Sequence, residues 1–150
     1  MNTHHETRQT MHSTPHQHAS GTMPQRACAV MRRFGTAGMR EHVRNGTRLA
    51  QVFAALVKAH ADLELTCPPS LSLVCFRWAG ADEERQLRLL EAVKATGRCF
   101  IIHTKLSGKV VLRFACGGIE QTEADVRAAF AVIASQLEAL KATLRSTTSC

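Results

Sequence analysis

The 150-residue sequence has few aromatic side chains, no apolar run of bilayer length and none of the common catalytic motifs. Without such a run, a membrane-spanning helix is excluded. The patterns GxGxxG, Walker loop, HExxH, GxSxG and CxxC are all absent, so no motif indicates a dinucleotide, nucleotide, zinc-protease or serine-hydrolase site. The length fits one domain that can bury a core of its own.

The cysteines show no metal-ligand spacing, and the amino-terminal residues lack the continuous apolar segment of a secretory signal. We therefore expect a cytoplasmic chain whose cysteines are free thiols rather than a disulfide framework. The six cysteines are Cys28, Cys67, Cys75, Cys99, Cys116 and Cys150.

The net charge of +7 does not by itself indicate a nucleic-acid partner. Proteins that bind single strands interleave aromatic side chains with their basic ones, and here no aromatic residue alternates with the densest basic stretch. We predict a solvated or partner-facing helix side, with no nucleic-acid or membrane partner. The basic stretch consists of Arg32, Arg33, Arg40, Arg44 and Arg48.

The first 27 residues hold five of the eight histidines and almost no large apolar side chains. Such a segment cannot bury enough surface to order itself, so residues 1–27 are predicted to be a disordered His-rich tail. No cysteine or carboxylate framework accompanies the imidazoles, and no metal site is predicted. The folded domain is predicted over residues 28–145, and a flexible tail over residues 146–150.

Hydrophobic periodicity predicts three helices and four strands. The apolar spacing and the cap and turn residues place them at 38–60 (helix), 62–66 and 71–78 (strands), 83–97 (helix, with Asp82 as N-cap), 98–103 and 109–116 (strands) and from 122 (helix). This order is typical of an α+β layer, a small, mostly antiparallel sheet with helices packed on one face. The strands around "LVCF" and "CFII" are apolar at successive positions, so both sheet faces are expected to be partly buried.

Arg113 is the one charge inside an apolar strand, in "HTKLSGKVVLRFACGG". Strand side chains alternate, so its guanidinium lies on the opposite face from Leu112 and Phe114. Buried without a partner it would cost several kcal/mol, and it therefore needs water or an anion. A structural ion pair or solvent exposure is favoured over a ligand carboxylate. His103, at a predicted strand end, is the second candidate residue.

Three stretches resemble one family: "VMRRFGTAGMREHVRNGTRLAQVFAALV", "LSLVCFR" and above all "HTKLSGKVVLRFACG". They are similar to the carboxyl-terminal part of group II pyridoxal-phosphate-dependent decarboxylases, the aromatic-L-amino-acid decarboxylases, and most of all to the tyrosine/DOPA and tryptophan decarboxylases of plants. The resemblance covers residues 30–140. It implies the small C-terminal domain of the aspartate-aminotransferase fold (PLP fold type I), which packs against a large cofactor domain and contributes to a dimer.

The resemblance implies pyridoxal 5'-phosphate as cofactor and L-tyrosine, DOPA or tryptophan as substrate, with an amine and CO2 as products. The family carries its cofactor on a lysine that directly follows a histidine, and in this chain no histidine is directly followed by a lysine. No cofactor-binding or catalytic residue is therefore predicted, and we expect a truncated gene product, or one with a foreign leader, that is inactive alone. Only Arg113 and His103 are carried over, as substrate-binding or interface candidates. A non-catalytic module that associates with a full-length decarboxylase is the alternative.

Overall fold

The computed structural model describes the backbone of residues 23–147 and the side chains of residues 28–146. The chain divides into two compact units, Met1–Gly35 and Thr36–Cys150. Helix α1, Met23–Ala59, is interrupted at the boundary, where Gly35 has φ 60° and ψ −179°. This conformation is open almost only to glycine.

Only the inner ends of the two predicted tails lie within the described residues. Residues 23–27 of the predicted tail are helical, and residues 1–22 lie outside the described part of the chain. At the other end α3 continues to Thr147, so residues 146 and 147 are helical and residues 148–150 lie outside the description.

Four strands form one antiparallel sheet in the order β1-β2-β4-β3. The elements after α1 are β1 (Leu63–Leu65), β2 (Leu73–Trp78), α2 (Glu83–Ala95), β3 (Ile102–Leu106), β4 (Lys109–Ala115) and α3 (Glu123–Thr147). This arrangement confirms the predicted α+β class and the order of its elements. None of the described helices is both long and apolar enough to cross a bilayer.

The core lies between the three helices and one face of the sheet. Phe53 of α1 stacks on Phe114 of β4 with ring centroids 4.3 Å apart, and meets Phe76 of β2 edge-on at 5.4 Å. Aromatic pairs of this kind stabilise a core beyond the area they bury. The helices supply, among others, the buried side chains Leu49, Val57, Leu89, Leu90, Val93, Val126, Ile133 and Leu137.

Capping residues close in sequence define the two ends of α2 and the start of α3, as predicted. The Asp82 carboxylate accepts a hydrogen bond from the Arg85 amide at 2.9 Å, and Gly97 follows α2 with φ 64°. Asp125 accepts from the Thr122 amide at 2.8 Å, while the Thr122 hydroxyl accepts from the Asp125 amide at 3.3 Å. The second pair forms a reciprocal cap that satisfies backbone donors at the start of α3.

The third strand begins four residues later than predicted. Instead of residues 98–103, β3 comprises Ile102–Leu106, and the predicted turn shortens to Ser107 and Gly108, both at positive φ. Such a two-residue turn matches the twist of its strands and lets the strand pairing continue to Leu106↔Lys109. β3 is an edge strand with mostly exposed side chains, so the expectation that both its faces are partly buried is wrong.

The first hairpin also turns later than predicted. Ser70 and Leu73 exchange both backbone hydrogen bonds, at 3.1 and 2.9 Å, and Leu71 between them has φ 51°. The chain therefore reverses at Leu71 and Ser72, the first two residues of the predicted strand 71–78, and β2 begins two residues after the predicted position.

Gly46, in the interior of α1, lies against the segments before β2 and after β4. A Cβ atom built on this residue would lie 2.8 Å from the Cys116 carbonyl oxygen and 3.0 Å from Ser72 Cβ. The helix approaches the end of β4 so closely that only glycine fits.

Candidate functional site around Arg113

The sheet face opposite the helices carries Arg113, as strand alternation predicts. Directly paired residues share a face in an antiparallel sheet, so Arg113 has Cys75 of β2 on one side and Ile102 of β3 on the other. We call this surface the outer face. The paired residues assigned to it are Glu64, Leu73, Cys75, Arg77, Ile102, Thr104, Leu106, Lys109, Val111, Arg113 and Ala115.

Arg113 is half-buried, and within residues 28–146 no hydrogen bond or ion pair engages its guanidinium. Ile102 beside it is 38% exposed, so the charge lies on a partly apolar surface. A guanidinium offers five donors in a planar fork that suits a carboxylate or a phosphate. The residue therefore combines an available cationic group with apolar neighbours.

The second arginine of the outer face, Arg77, has two partners inside the chain. Arg77 Nη2 donates to the Ala81 carbonyl oxygen at 2.9 Å, and its Nε lies 3.3 Å from Glu64 Oε1. This ion pair lacks hydrogen-bond alignment, since the buried Nε has no hydrogen-bond partner in the described residues. The side chain of Arg77 is only 17% exposed. Glu64 thus pairs with Arg77 and not with Arg113.

His103 lies on the other side of the sheet. It pairs with Leu112, whose side chain is buried in the core, so His103 shares the helix-facing side at the exposed edge. Arg113 pairs instead with Ile102, the residue before His103. The sheet therefore separates the two candidate side chains, and they do not form one constellation.

A charged cluster that the sequence reasoning missed joins the end of α1 to α3. His60, Asp62 and Glu138 place potential ligand atoms within 4.8 Å of one another. The Lys141 ammonium lies among them, 2.5 Å from Asp62 Oδ2 and 3.0 Å from Glu138 Oε1. The cation that these carboxylates bind is therefore the ammonium group of Lys141. The pair His60 and Asp62 is far in sequence from the pair Glu138 and Lys141, so no local pattern could have shown that the two pairs meet.

Lys141 and Asp62 stabilise each other's charged forms. The hydrogen bond from Lys141 is the main cause that lowers the pKa of Asp62, with the charges of Lys141, His60 and Arg145 acting in the same direction. The same hydrogen bond, followed by that to Glu138, raises the pKa of Lys141. Lys141 is therefore a protonated structural cation and not a free nucleophilic amine.

The described residues do not fit pyridoxal phosphate, which needs a lysine amine facing a cavity. Lys141 is held by two carboxylates, and Lys94 and Lys105 lie 3.2 Å from Glu91 and Glu83. Lys58 and Lys109, the remaining two lysines of the sequence, are exposed. Two surface grooves among the described residues are not lined by lysine, and the larger of these two has a volume of about 370 Å³ and lies between the end of α2 and α3.

Comparison with known proteins places this fold in a family of enzymes. Residues 23–79 match the family described as "Pyridoxal-dependent decarboxylase conserved domain". Tryptophan decarboxylase 1 of Oryza sativa subsp. japonica is 38% identical over 114 residues, which cover 69% of this chain and 22% of that protein. Tyrosine decarboxylase 1 of Narcissus pseudonarcissus is 33% identical over 123 residues, covering 74% of this chain and 24% of that protein.

A solved structure, Oryza sativa TDC with PLP and tryptamine, superposes with a TM-score of 0.68 at 34% identity. The superposition covers 74% of this chain and 25% of that chain. The matched region therefore has the α+β fold found in PLP-dependent decarboxylases, which are aspartate-aminotransferase-like. Over this region the chain belongs to the pyridoxal-dependent decarboxylase family. It spans about a quarter of the length of these relatives.

Proposed function

We propose that this chain is the C-terminal small domain of a PLP-dependent decarboxylase that converts L-tyrosine, DOPA or tryptophan to the amine and CO2. The observation that carries the proposal is the family match over about three quarters of the chain. The same proposal includes a cytoplasmic setting and a dimeric whole enzyme. Alone, the chain is inactive, because none of its five lysines is placed to carry the cofactor.

Within that enzyme, we assign the outer face to contact with the large cofactor domain. Arg113 has no anionic partner in the described residues, while Arg77 on the same face has one. A carboxylate of the large domain, or of the substrate, would accept hydrogen bonds from the Arg113 guanidinium. The exposed apolar side chain of Ile102 would be covered in the same contact. His103 is the second interface candidate, at the helix-facing edge of β3.

The inactivity of the chain alone is tested by mixing the purified chain with pyridoxal phosphate and each of the three amino acids. We expect no amine product and no absorbance band of a lysine aldimine. Turnover by the isolated chain would contradict the proposal.

The contribution to a decarboxylase is tested by a chimera. In the Oryza sativa tryptophan decarboxylase 1, the homologous stretch is replaced by that of this chain, and tryptamine formation is measured. We expect the chimera to decarboxylate tryptophan, and Arg113→Met in the chimera to reduce the activity. Arg88→Met, on the exposed side of α2, serves as the matched control, with activity unchanged. A chimera that is folded, binds the cofactor and lacks activity would refute the assignment.

The alternative is a non-catalytic module that docks on a full-length decarboxylase. The same outer face supports it, because Arg113 and Ile102 would be available to an intact enzyme as well. Size-exclusion chromatography of the chain with a full-length plant tyrosine decarboxylase distinguishes the two. A stable complex that Arg113→Met weakens would favour the module, and separate elution would exclude it.

A further inference from the structure

Strand β3 is an open edge of the sheet, because the only strand that pairs with it among the described residues is β4. The two-residue turn between them makes Leu106↔Lys109 a hydrogen-bonded pair, and such pairs alternate with non-hydrogen-bonded pairs along the two strands. The amide and carbonyl groups of His103 and Lys105 therefore point away from β4. Within the described residues, no hydrogen bond engages these outward-facing groups.

The usual protections of a sheet edge are missing from β3. Residues 98–116 contain no proline, and the pairing with β4 runs from Ile102 to Leu106 without a bulge. The one lysine of the strand, Lys105, lies 3.2 Å from Glu83 of α2, so its charge is compensated inside the chain. An unprotected edge of this kind is a template on which a further strand can pair.

The same edge carries exposed apolar side chains on the outer face. Alternate residues of an extended chain point to the same side. Phe100, Ile102 and Leu106 are 78%, 38% and 40% exposed, whereas Ile101 is 1% exposed. Neighbouring apolar side chains that are exposed together mark a contact surface. The edge of β3 therefore offers both the backbone groups and the side chains that a pairing strand requires.

The sequence of β3 is complementary to itself in one antiparallel register. In that register the backbone of His103 exchanges both hydrogen bonds with Lys105 of a second copy, and the reverse pair does the same. On the outer face Ile102 lies opposite Leu106 of the second copy. Thr104 lies opposite its own counterpart, a favourable cross-strand pair.

We propose that two copies of this chain associate through their β3 edges in this antiparallel register, which joins two four-stranded sheets into one continuous sheet. A two-fold axis passes beside Thr104, so the interface is isologous and closes after two chains. The occupant of the edge is a second copy because Ile102 and Leu106 supply each other's partners. The pairing uses backbone groups at the rim of the sheet, and it does not rest on the proposed contact of the outer face with a large domain.

Sedimentation velocity of the full chain over a range of protein concentrations measures the association. The buffer contains enough salt to screen the repulsion between two chains of net charge +7. We expect the mass to rise with concentration from that of one chain to that of two. His103→Pro removes only an outward-facing amide, so it should keep the fold by circular dichroism and abolish the dimer. A chain that stays monomeric at all concentrations would overturn the inference.

Leu106→Lys keeps every backbone group and places a charge opposite Ile102 of the second copy. It should raise the dissociation constant of the dimer by about tenfold, because the ammonium group would be buried against an apolar side chain. Ile119→Lys, at a residue that is 68% exposed outside the sheet, is the matched control and should leave the constant unchanged. A dimer that neither His103→Pro nor Leu106→Lys weakens would form through another surface and contradict the proposal.

A single new cysteine tests the register. The two copies of Thr104 form a non-hydrogen-bonded pair, whose Cα separation lies within the range that a disulfide spans. Thr104→Cys should therefore give a covalent dimer under mild oxidation. His103→Cys, in which the new thiol lies opposite Lys105 of the second copy, should give less, and wild type shows the background from the six native cysteines. Equal yields from the two variants would show that the register is wrong.

Discussion

Gln86 of α2 forms both of its buried side-chain hydrogen bonds with the backbone of one residue, Trp78. Its Oε1 accepts from the Trp78 amide at 3.1 Å, and its Nε2 donates to the Trp78 carbonyl at 2.7 Å. Gln86 is 1% exposed and is the only buried polar residue among the described side chains. The side-chain amide of Gln86 thereby links the end of β2 to α2.

Gln86→Leu should destabilise the chain by about 1–3 kcal/mol, because it leaves the buried Trp78 amide without a partner, while the Trp78 carbonyl keeps its hydrogen bond from the Ala81 amide. Urea unfolding followed by circular dichroism measures the loss. The exposed Arg88→Ala on the same helix should change the free energy of unfolding by less than about 0.5 kcal/mol. Equal stability of Gln86→Leu and wild type would show that water replaces the amide.

Gly46→Ala should destabilise the chain although alanine is the better helix former. The propensity gain is about 1 kcal/mol. The new Cβ would stand 2.8 Å from a backbone oxygen, that of Cys116, which cannot move without moving the end of β4. We expect a net loss of about 1–2 kcal/mol in urea unfolding.

The control for this substitution is Gly117→Ala, beside the same carbonyl but with nothing within 4 Å of its Cβ position. It should be neutral to within about 0.5 kcal/mol. A stabilised Gly46→Ala variant would mean that the close approach of α1 to β4 is wrong.

The two arginines of the outer face should respond differently to substitution by methionine. Arg77→Met removes a hydrogen bond to Ala81 and an ion pair with Glu64 from a largely buried site, and should cost about 1–3 kcal/mol. Arg113→Met removes no described partner and should change stability by less than about 0.5 kcal/mol. Thermal unfolding of both variants checks the contrast, and a large loss for Arg113→Met would reveal an internal partner.

The Asp62–Lys141 pair predicts how stability depends on pH. The pKa of Asp62 is lowered in the folded chain, so its contribution is complete above the unfolded value of about 3.9 and is lost as the pH falls through the folded value. The pKa of Lys141 is raised, so its contribution is lost only as the pH rises through a value above about 10.4.

Asp62→Asn should therefore differ most from wild type between about pH 5 and 9, and the two should begin to converge only as the pH falls below about 4. Urea unfolding at several pH values measures this difference. Glu120→Gln, an exposed carboxyl outside the pair, is the control and should show no such convergence. A difference between wild type and Asp62→Asn that grows as the pH falls would contradict the assignment.

The features predicted from sequence are those encoded by neighbouring residues. Asp82, Gly97 and Thr122 end or begin helices through contacts within a few positions, and strand alternation alone places Arg113 on the face opposite Leu112. The start of β3 was misplaced because the apolar "CFII" outweighed the polar residues that in fact pair with Val110 and Val111. Edge pairing depends on the partner strand more than on intrinsic preference.

The features of the candidate site that were not predicted depend on contacts and strand pairings between residues distant in sequence. Nothing near Arg113 in sequence shows that Glu64 pairs with Arg77 instead, since this contact joins two strands through the hairpin. The separation of His103 from Arg113 depends on a register of one residue, and a shift by one residue moves a side chain to the other face of the sheet. The engagement of Lys141 requires the packing of α3 against the end of α1.

The strand order β1-β2-β4-β3 also bears on how the chain folds. Two of its three pairings, β1 with β2 and β3 with β4, are hairpins between neighbours in sequence, and such hairpins form within about 1–10 μs. The pairing of β2 with β4 must instead close a loop that contains all of α2. Closing that loop carries the larger entropic cost, so we expect the docking of one hairpin on the other, with α2 folded between them, to limit the folding rate.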